Sequence, residues 1–194
     1  YEIGNEEVQA IQRIISQRKL FRYFQNSECS IFEKNYSKYL SIKHTALASS
    51  GTAALTAALI GLKIGPGDEV IVPAHTYMAT AMSVLSVGAI PVIVDIDESL
   101  TISPTALDDA CGPRTRAAIV VHMWGTTCNM NEIMRIAKKK NIFIIEDACQ
   151  AVGGGYNKKM LATIGHVGAF SFNYYKNMTS GEGGAVVSNN DEII

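Results

Sequence analysis

From residue 45 onward, short apolar runs typical of β-strands alternate with segments of helical periodicity. The helical segments cover about 52–62, 77–87, 103–110 and 129–140. Strands that alternate with helices predict a mainly parallel sheet with helices on both faces, the α/β class. The strand-like runs are Ala46–Ala48, Val70–Val72, Pro91–Val94, Ala117–Val121, Ile142–Ile145, Ala169–Phe172 and Ala185–Ser188.

Upstream of this alternation, apolar residues recur at helical spacing over 5–17 and 28–41, on either side of an irregular stretch. No Pro- or Gly-rich linker divides the chain. We therefore expect one domain over residues 1–194, with N-terminal helices over about 1–42 and a sheet core over about 43–194.

Composition excludes several functions. Hydrophobic residues make up 47% of the chain, which is enough for a packed core. A net charge of −1 gives no basic field for nucleic acid, and no apolar run approaches the roughly 20 residues of a membrane helix. The four cysteines form no CxxC pair, which favours free thiols in a reducing cytoplasm over the alternative of a zinc site.

In an open parallel sheet, ligands bind outside the carboxyl ends of the strands, so candidate site residues should follow strands directly. The first candidate is the segment 49–55, where Gly51 would let a phosphate approach the free N–H groups at the start of a helix and Thr52 could add a hydroxyl. Ser50 or Thr52 could equally be an ordinary N-cap. Neither a Walker A pattern nor GxGxxG is present.

The second candidate is the segment 73–77, after the next strand. Tyr77 could stack on a flat ring, or it could be a packing aromatic at the start of a helix. His75 is more easily interpreted as structural.

The third candidate is an acidic pair, Glu146 and Asp147, at the end of a buried strand. Successive strand residues point to opposite faces, so one acid should face the site and hold a protonated ring nitrogen or a metal. No companion ligands suggest a metal, and we expect none. Either acid could also simply cap the next helix.

The fourth candidate is Lys176, which lies among aromatic and small residues between Gly168 and Gly184. In apolar surroundings a lysine amine is more readily uncharged and becomes a nucleophile toward aldehydes. The alternative is a solvated surface lysine. Together the four segments offer a phosphate cradle, a ring stacker, an acid for a ring nitrogen and an amine for an imine, which are the requirements of pyridoxal phosphate.

The sequence resembles the DegT/DnrJ/EryC1/StrS aminotransferases, which are fold-type I enzymes dependent on pyridoxal 5′-phosphate (PLP). The matching motifs run along essentially the whole chain: Ser50-Gly51-Thr52-Ala53-Ala54-Leu55, Thr76-Tyr77, Glu146-Asp147-Ala148-Cys149-Gln150-Ala151, Phe170-Ser171-Phe172, Lys176 and Gly181-Glu182-Gly183-Gly184.

The resemblance implies roles for individual residues. Lys176 would hold PLP covalently as an imine, and Asp147 would pair with the pyridine nitrogen. Tyr77 would stack on the ring and Gln150 would contact its hydroxyl side. The phosphate would be bound by Gly51, Thr52 and Ser171, with a backbone amide from Ala53.

The resemblance also implies an activity: transfer of an amino group from glutamate or glutamine to a keto sugar, with a nucleotide-linked sugar preferred over a keto-inositol. A related group of PLP or PMP sugar dehydratases has His in place of the lysine, so Lys176 favours transamination. A carbon–sulfur lyase and a non-catalytic paralogue stay open. Val152, Asn173 and Trp124 depart from the residues common in the family, which bears on the identity of the sugar.

Two expectations about architecture follow from the resemblance. The chain corresponds to the PLP-binding large domain of a fold-type I enzyme, with a C-terminal small domain expected outside it. Relatives form dimers whose active sites borrow residues from the partner, so a homodimer is expected.

Overall fold

The computed structural model describes residues 3–194, so the first two residues of the predicted helical region lie outside the described residues. These residues build one seven-stranded sheet with helices packed against it, together with a two-stranded hairpin. The helices are α1 (Asn5–Ser16), α2 (Glu28–Leu40), α3 (Gly51–Gly61), α4 (Ala79–Ser86), α5 (Pro104–Ala110) and α6 (Met130–Lys140). The strands are β1 (His44–Ala48), β2 (Glu69–Pro73), β3 (Ile90–Val94), β4 (Thr115–Val121), β5 (Phe143–Asp147), β6 (Gly155–Tyr156), β7 (Lys159–Met160), β8 (Val167–Ser171) and β9 (Gly184–Ser188).

The large sheet has the strand order β1-β9-β8-β5-β4-β2-β3. The pairs β2–β3, β2–β4, β4–β5 and β5–β8 are parallel, whereas β9 runs antiparallel to both of its neighbours. The predicted mainly parallel α/β sheet is therefore confirmed. The reversal of β9 places its first residue, Gly184, opposite Ala48 and Ser171, the last residues of β1 and β8.

Both faces of the sheet are covered, as the continuous apolar strands predict. On β2, Val70 and Val72 pack on one face with Leu55 of α3. Ile71, between them, packs on the other face with Ile133 of α6. Each such side chain contributes about 1.5–3 kcal/mol by leaving water, so the two layers hold the central strands firmly.

The helix boundaries follow the local sequence. Ser50 caps α3 by accepting a hydrogen bond from the backbone N–H of Ala53 at 3.1 Å. The helix α6 ends in three lysines, which suit the negative end of the helix dipole, and Asn141 closes it in the left-handed conformation. Nowhere in residues 3–194 does a helix have the length and apolarity needed to cross a membrane.

Candidate active site

A cavity of about 510 Å³ opens at the edge of the sheet where the parallel strands end. It is bordered by the segments that follow β1, β2, β5 and β8 and by the loop that leads into β9. This is the position at which open α/β sheets bind ligands, and it is the edge predicted from the sequence. Of the eight predicted site residues, seven line the cavity: Gly51, Thr52, Tyr77, Asp147, Gln150, Ser171 and Lys176.

The start of α3 forms one wall of the cavity. The first hydrogen bond of this helix runs from the Ala54 N–H to the Ser50 carbonyl, so the amides of Gly51 and Thr52 lie ahead of the helical ladder. Ala53, the eighth predicted residue, does not line the cavity, and its amide donates to Ser50 Oγ. The reason is the N-cap: Ser50, the alternative that the sequence left open, uses the amide that the resemblance assigned to a phosphate.

Two glycines allow this wall to form. A Cβ on Gly51 would lie 2.8 Å from both Cys149 Sγ and Ser171 Cβ, so only glycine lets the helix start approach β5 and β8 so closely. A Cβ on Gly184 would collide with the backbone of Ser50. The Gly-rich segment after Lys176 therefore has a packing function, because it brings β9 against the start of α3.

Aromatic and amide side chains border another side of the cavity. Tyr77 is 70% exposed and borders the cavity, so it is not a packing aromatic of the core. Gln150 Oε1 accepts a hydrogen bond from the backbone N–H of Trp124 at 3.2 Å. Trp124 has a positive φ of 52° and is 69% exposed, with its ring edge against His75. A bulky residue rarely adopts this backbone region, and the bond to Gln150 helps to hold it there.

The two acids at the end of β5 point to opposite faces of the sheet, as the strand alternation predicts. Asp147 lines the cavity, where Oδ1 accepts from the Cys149 N–H and Oδ2 from Thr80 Oγ1, each at 3.1 Å. Glu146 is fully buried on the other face, with its carboxylate bonded to His122 Nε2 and to backbone N–H groups. Asp147 is therefore the acid that a ligand in the cavity can reach.

Lys176 stands in a tight turn between β8 and β9. Its backbone N–H donates to the Asn173 carbonyl at 2.9 Å. The Asn173 side chain holds the turn from both ends, since Oδ1 accepts from the Tyr175 N–H and Nδ2 donates to Glu182 Oε1 at 2.8 Å. The turn presents Lys176 to the same cavity as Asp147.

The sequence analysis assigned no role to several residues that line the cavity, among them Thr76, Thr80 and Cys149. Burial, followed by the negative charge of Asp147, raises the pKa of the Cys149 thiol well above its ordinary value, so the thiol stays protonated. The sequence did contain a signal for Thr76 and Thr80. The two threonines follow the end of β2 and are four positions apart, a spacing that brings two hydroxyls together at the start of a helix.

With the site described, the chain can be compared with known proteins. The model of the DegT/DnrJ/EryC1/StrS aminotransferase family matches residues 1–194. GDP-perosamine synthase from Caulobacter vibrioides is 42% identical over 84% of this chain and 44% of its own length. The chain thus spans about half the length of the curated relatives it matches.

Solved structures agree. An aminotransferase from Psychrobacter cryohalolentis superposes with a TM-score of 0.95 at 36% identity, over 99% of this chain and 49% of its own. NtdA from Bacillus subtilis, solved with the bound cofactor PMP, superposes with a TM-score of 0.86 at 34% identity, over 98% of this chain and 44% of its own.

Proposed function

The chain belongs to the DegT/DnrJ/EryC1/StrS aminotransferase family, and on that premise we propose that it transfers an amino group from an amino acid to a keto sugar, with PLP as cofactor. The observation that carries this proposal is the single cavity that Lys176, Asp147 and the start of α3 share. An amine, a carboxylate and a helix start around one space match the aldehyde, the ring nitrogen and the phosphate of PLP.

The residues present fit the cofactor. The close approach of Gly51 to Ser171 places the free amides of α3 beside a hydroxyl, a suitable donor set for a phosphate. Asp147 accepts one hydrogen bond from the protein on each oxygen, and the remaining lone pairs can accept a ring N–H. The exposed ring of Tyr77 can cover the face of a flat ring.

When bound, PLP supplies an electron sink for the electron pair of a broken C–H bond. The residues of this chain would hold and transfer protons during the reaction. Asp147 would hold a proton on the ring nitrogen, and the Lys176 amine would remove the proton from the α-carbon of the donor and later return it. The first turn of α3 would fix the phosphate, so the reacting carbon stays within reach of Lys176.

We propose glutamate or glutamine as the donor and a nucleotide-linked keto hexose as the acceptor. The support for the acceptor is the likeness to a GDP-perosamine synthase, and the alternative is a keto-inositol. The presence of Lys176 rather than histidine supports transamination over dehydration. Assays of the full protein with PLP, either donor and a panel of keto sugars and keto-inositols would identify the pair.

Borohydride reduction tests the proposal directly. Reduction of the full protein loaded with PLP should attach a pyridoxyl group to Lys176, which peptide mapping can locate. The matched control is Lys158→Ala, on the exposed β6–β7 hairpin turn, which should label as the unchanged protein does. Lys176→Ala should abolish both labelling and turnover. Labelling elsewhere, or full turnover by Lys176→Ala, would refute the assignment.

A single turnover with an amino donor separates the remaining alternatives. An aminotransferase should release one equivalent of 2-oxo acid and keep the amino group on the bound cofactor. A sugar dehydratase or a carbon–sulfur lyase would instead consume its own substrate without transferring an amino group to a sugar. A non-catalytic paralogue would release no 2-oxo acid.

We propose that the active form is a homodimer. Met78, the N-cap residue of α4, forms an exposed apolar stripe with Met82 and Leu85 of that helix, next to residues that line the cavity, and such a stripe is typical of a contact surface. Met82→Lys should lower the molecular mass measured by light scattering. The exposed Lys63→Glu is the matched control and should leave the mass unchanged.

We also propose a cytoplasmic location. The four cysteines are free thiols in the described residues, which suits a reducing compartment. Alkylation of thiols in freshly lysed cells should find all four reduced, whereas a disulfide would contradict this location.

A further inference from the structure

Asp147 is held by a hydroxyl as well as by the backbone. Thr80 is 1% exposed, and its Oγ1 lies 3.1 Å from Asp147 Oδ2. A carboxylate can only accept hydrogen bonds, so Thr80 must direct its one hydroxyl proton at Asp147. Such a charge-assisted hydrogen bond also fixes the orientation of the carboxylate.

A second hydroxyl completes a chain of fixed direction. Thr76 Oγ1 lies 2.7 Å from Thr80 Oγ1. Because the Thr80 proton is already committed to Asp147, Thr76 must be the donor in this contact. The competing acceptor for Thr76 is the Tyr77 carbonyl at 3.4 Å, which is a much weaker contact. The hydrogen bonds therefore run in one direction, from Thr76 to Thr80 to Asp147.

The neighbouring hydroxyl on α4 behaves differently. Ser83 is fully buried, and its Oγ donates to the Thr80 carbonyl in the preceding turn at 2.8 Å. Such back-bonding is the ordinary behaviour of a helical hydroxyl. Thr80 turns its hydroxyl toward another element instead, and its β-branched side chain is stiff in that rotamer.

We propose that Thr80 is a positioning residue for Asp147, with Thr76 as its donor, and that the pair keeps the carboxylate aimed at the ring nitrogen of PLP. This inference rests on the proposed function. Each Asp147 oxygen then uses one lone pair on the protein, from Cys149 N–H on one side and Thr80 on the other, and keeps the rest for the cavity. Rotation of the carboxylate would break both bonds at once.

The test uses the full chain and PLP as the probe. Thr80→Val removes the hydroxyl at nearly constant shape, and we expect the dissociation constant of PLP to rise by about 10-fold, the effect of one hydrogen bond to a charged group. Without the Thr80 hydroxyl to aim its carboxylate, Asp147 would hold the ring nitrogen proton more weakly. With less positive charge on the ring, the imine nitrogen at Lys176 should keep its proton to higher pH, so the pH midpoint of the visible absorbance that reports this imine proton should move upward.

Three comparisons separate positioning from a general loss of structure. Thr80→Ser keeps the hydroxyl and should restore both readouts. Ser83→Ala removes an equally buried hydroxyl from the same helix and should leave both unchanged. Thr76→Val should shift both readouts in the same direction as Thr80→Val but by less, and it keeps the test available if the valine at position 80 prevents folding.

A double-mutant cycle gives the decisive outcome. In an Asp147→Asn background, Thr80→Val should have no further effect on PLP affinity, because its partner charge is gone. If the unchanged protein binds PLP on Lys176 but Thr80→Val matches it in affinity and midpoint, the inference is overturned and the proposed function stands. If the unchanged protein binds no PLP, both are overturned.

Discussion

Glu146 and Asp147 are adjacent acids at the end of one strand, both nearly inaccessible to water, in opposite surroundings. Glu146 accepts four hydrogen bonds: Oε1 from the backbone N–H groups of Ile164 and Gly165, and Oε2 from Ala162 N–H and His122 Nε2, at 2.5–3.1 Å. Asp147 accepts a hydroxyl and a backbone N–H, one on each oxygen, and faces the cavity. The hydrogen-bonding capacity of the carboxylate is therefore fully used in Glu146 and half used in Asp147.

The difference separates structure from function. The four donors around Glu146 tie the segment 162–165 to β5 and leave no lone pair for a ligand. His122 belongs to the same network, because its Nδ1 accepts the Cys128 N–H at 3.2 Å and its Nε2 therefore carries the proton given to Glu146. A buried charge is costly unless its hydrogen-bonding capacity is met, so the unmet capacity of Asp147 supports its proposed role toward a ligand.

The largest effect on stability should come from replacing Glu146, whose hydrogen-bonding capacity is fully used. In Glu146→Gln, one of the two acceptor oxygens becomes an NH2 group, which strands two buried donors. At about 1–3 kcal/mol for each stranded donor, we expect the free energy of unfolding to fall by about 2–6 kcal/mol. Denaturant unfolding measures this loss. An unchanged midpoint would mean that Glu146 is not the structural acid.

The opposite result is expected for Asp147→Asn. The asparagine keeps the volume and can still accept from the Cys149 N–H, so the free energy of unfolding should change by less than about 1 kcal/mol. PLP affinity should fall by about 10–150-fold, because a charge-assisted hydrogen bond of about 1.5–3 kcal/mol is lost. Calorimetric titration and unfolding of the same sample give both numbers. A large loss of stability with unchanged affinity would reverse the roles of the two acids.

The comparison also explains what the sequence could predict. The alternation after residue 45 predicted every strand of the large sheet, because buried parallel strands are continuous apolar runs with helices between them. The short hairpin β6–β7 and the reversal of β9 were not predicted, because neither a two-residue strand nor the direction of a strand produces a periodic pattern in the sequence. Alternation along β5 predicted that a single acid faces the cavity, but not which of the two.

The sequence could not predict which hydrogen-bond donors and acceptors the fold brings together. Thr80 reaches Asp147 across 67 positions of the chain. The N-cap role of Ser50, which occupies the Ala53 amide, was one of two alternatives that local sequence could not separate. In both cases the outcome depends on which donor finds which acceptor after packing.

A third prediction concerns the turn that carries Lys176. Asn173→Ala removes the side-chain bonds to Tyr175 and Glu182, so the turn should open more often. Amide hydrogen exchange in 173–183 should accelerate by about 2–10-fold, the effect of about 0.5–1.4 kcal/mol in local stability. Glu182→Gln keeps the acceptor for Asn173 and is the matched control. Equal exchange in both variants would exclude Asn173 as the residue that closes the turn.

The smallest effect tests whether the charge of Asp147 acts on its neighbour Cys149. Burial is the main reason for the raised pKa of the Cys149 thiol, and the negative charge of Asp147 is the second. Replacing Asp147 with asparagine removes the second cause and leaves the first, so the pKa of the thiol should fall without reaching its ordinary value. The thiolate fraction at neutral pH, and with it the alkylation rate of Cys149, should therefore rise. Iodoacetamide labelling followed by mass spectrometry measures the rate, and Cys29 on α2 provides the internal reference. A rate that stays constant in Asp147→Asn would mean that the charge of Asp147 does not act on the thiol. The contrast with Glu146 would then lie in hydrogen bonding alone.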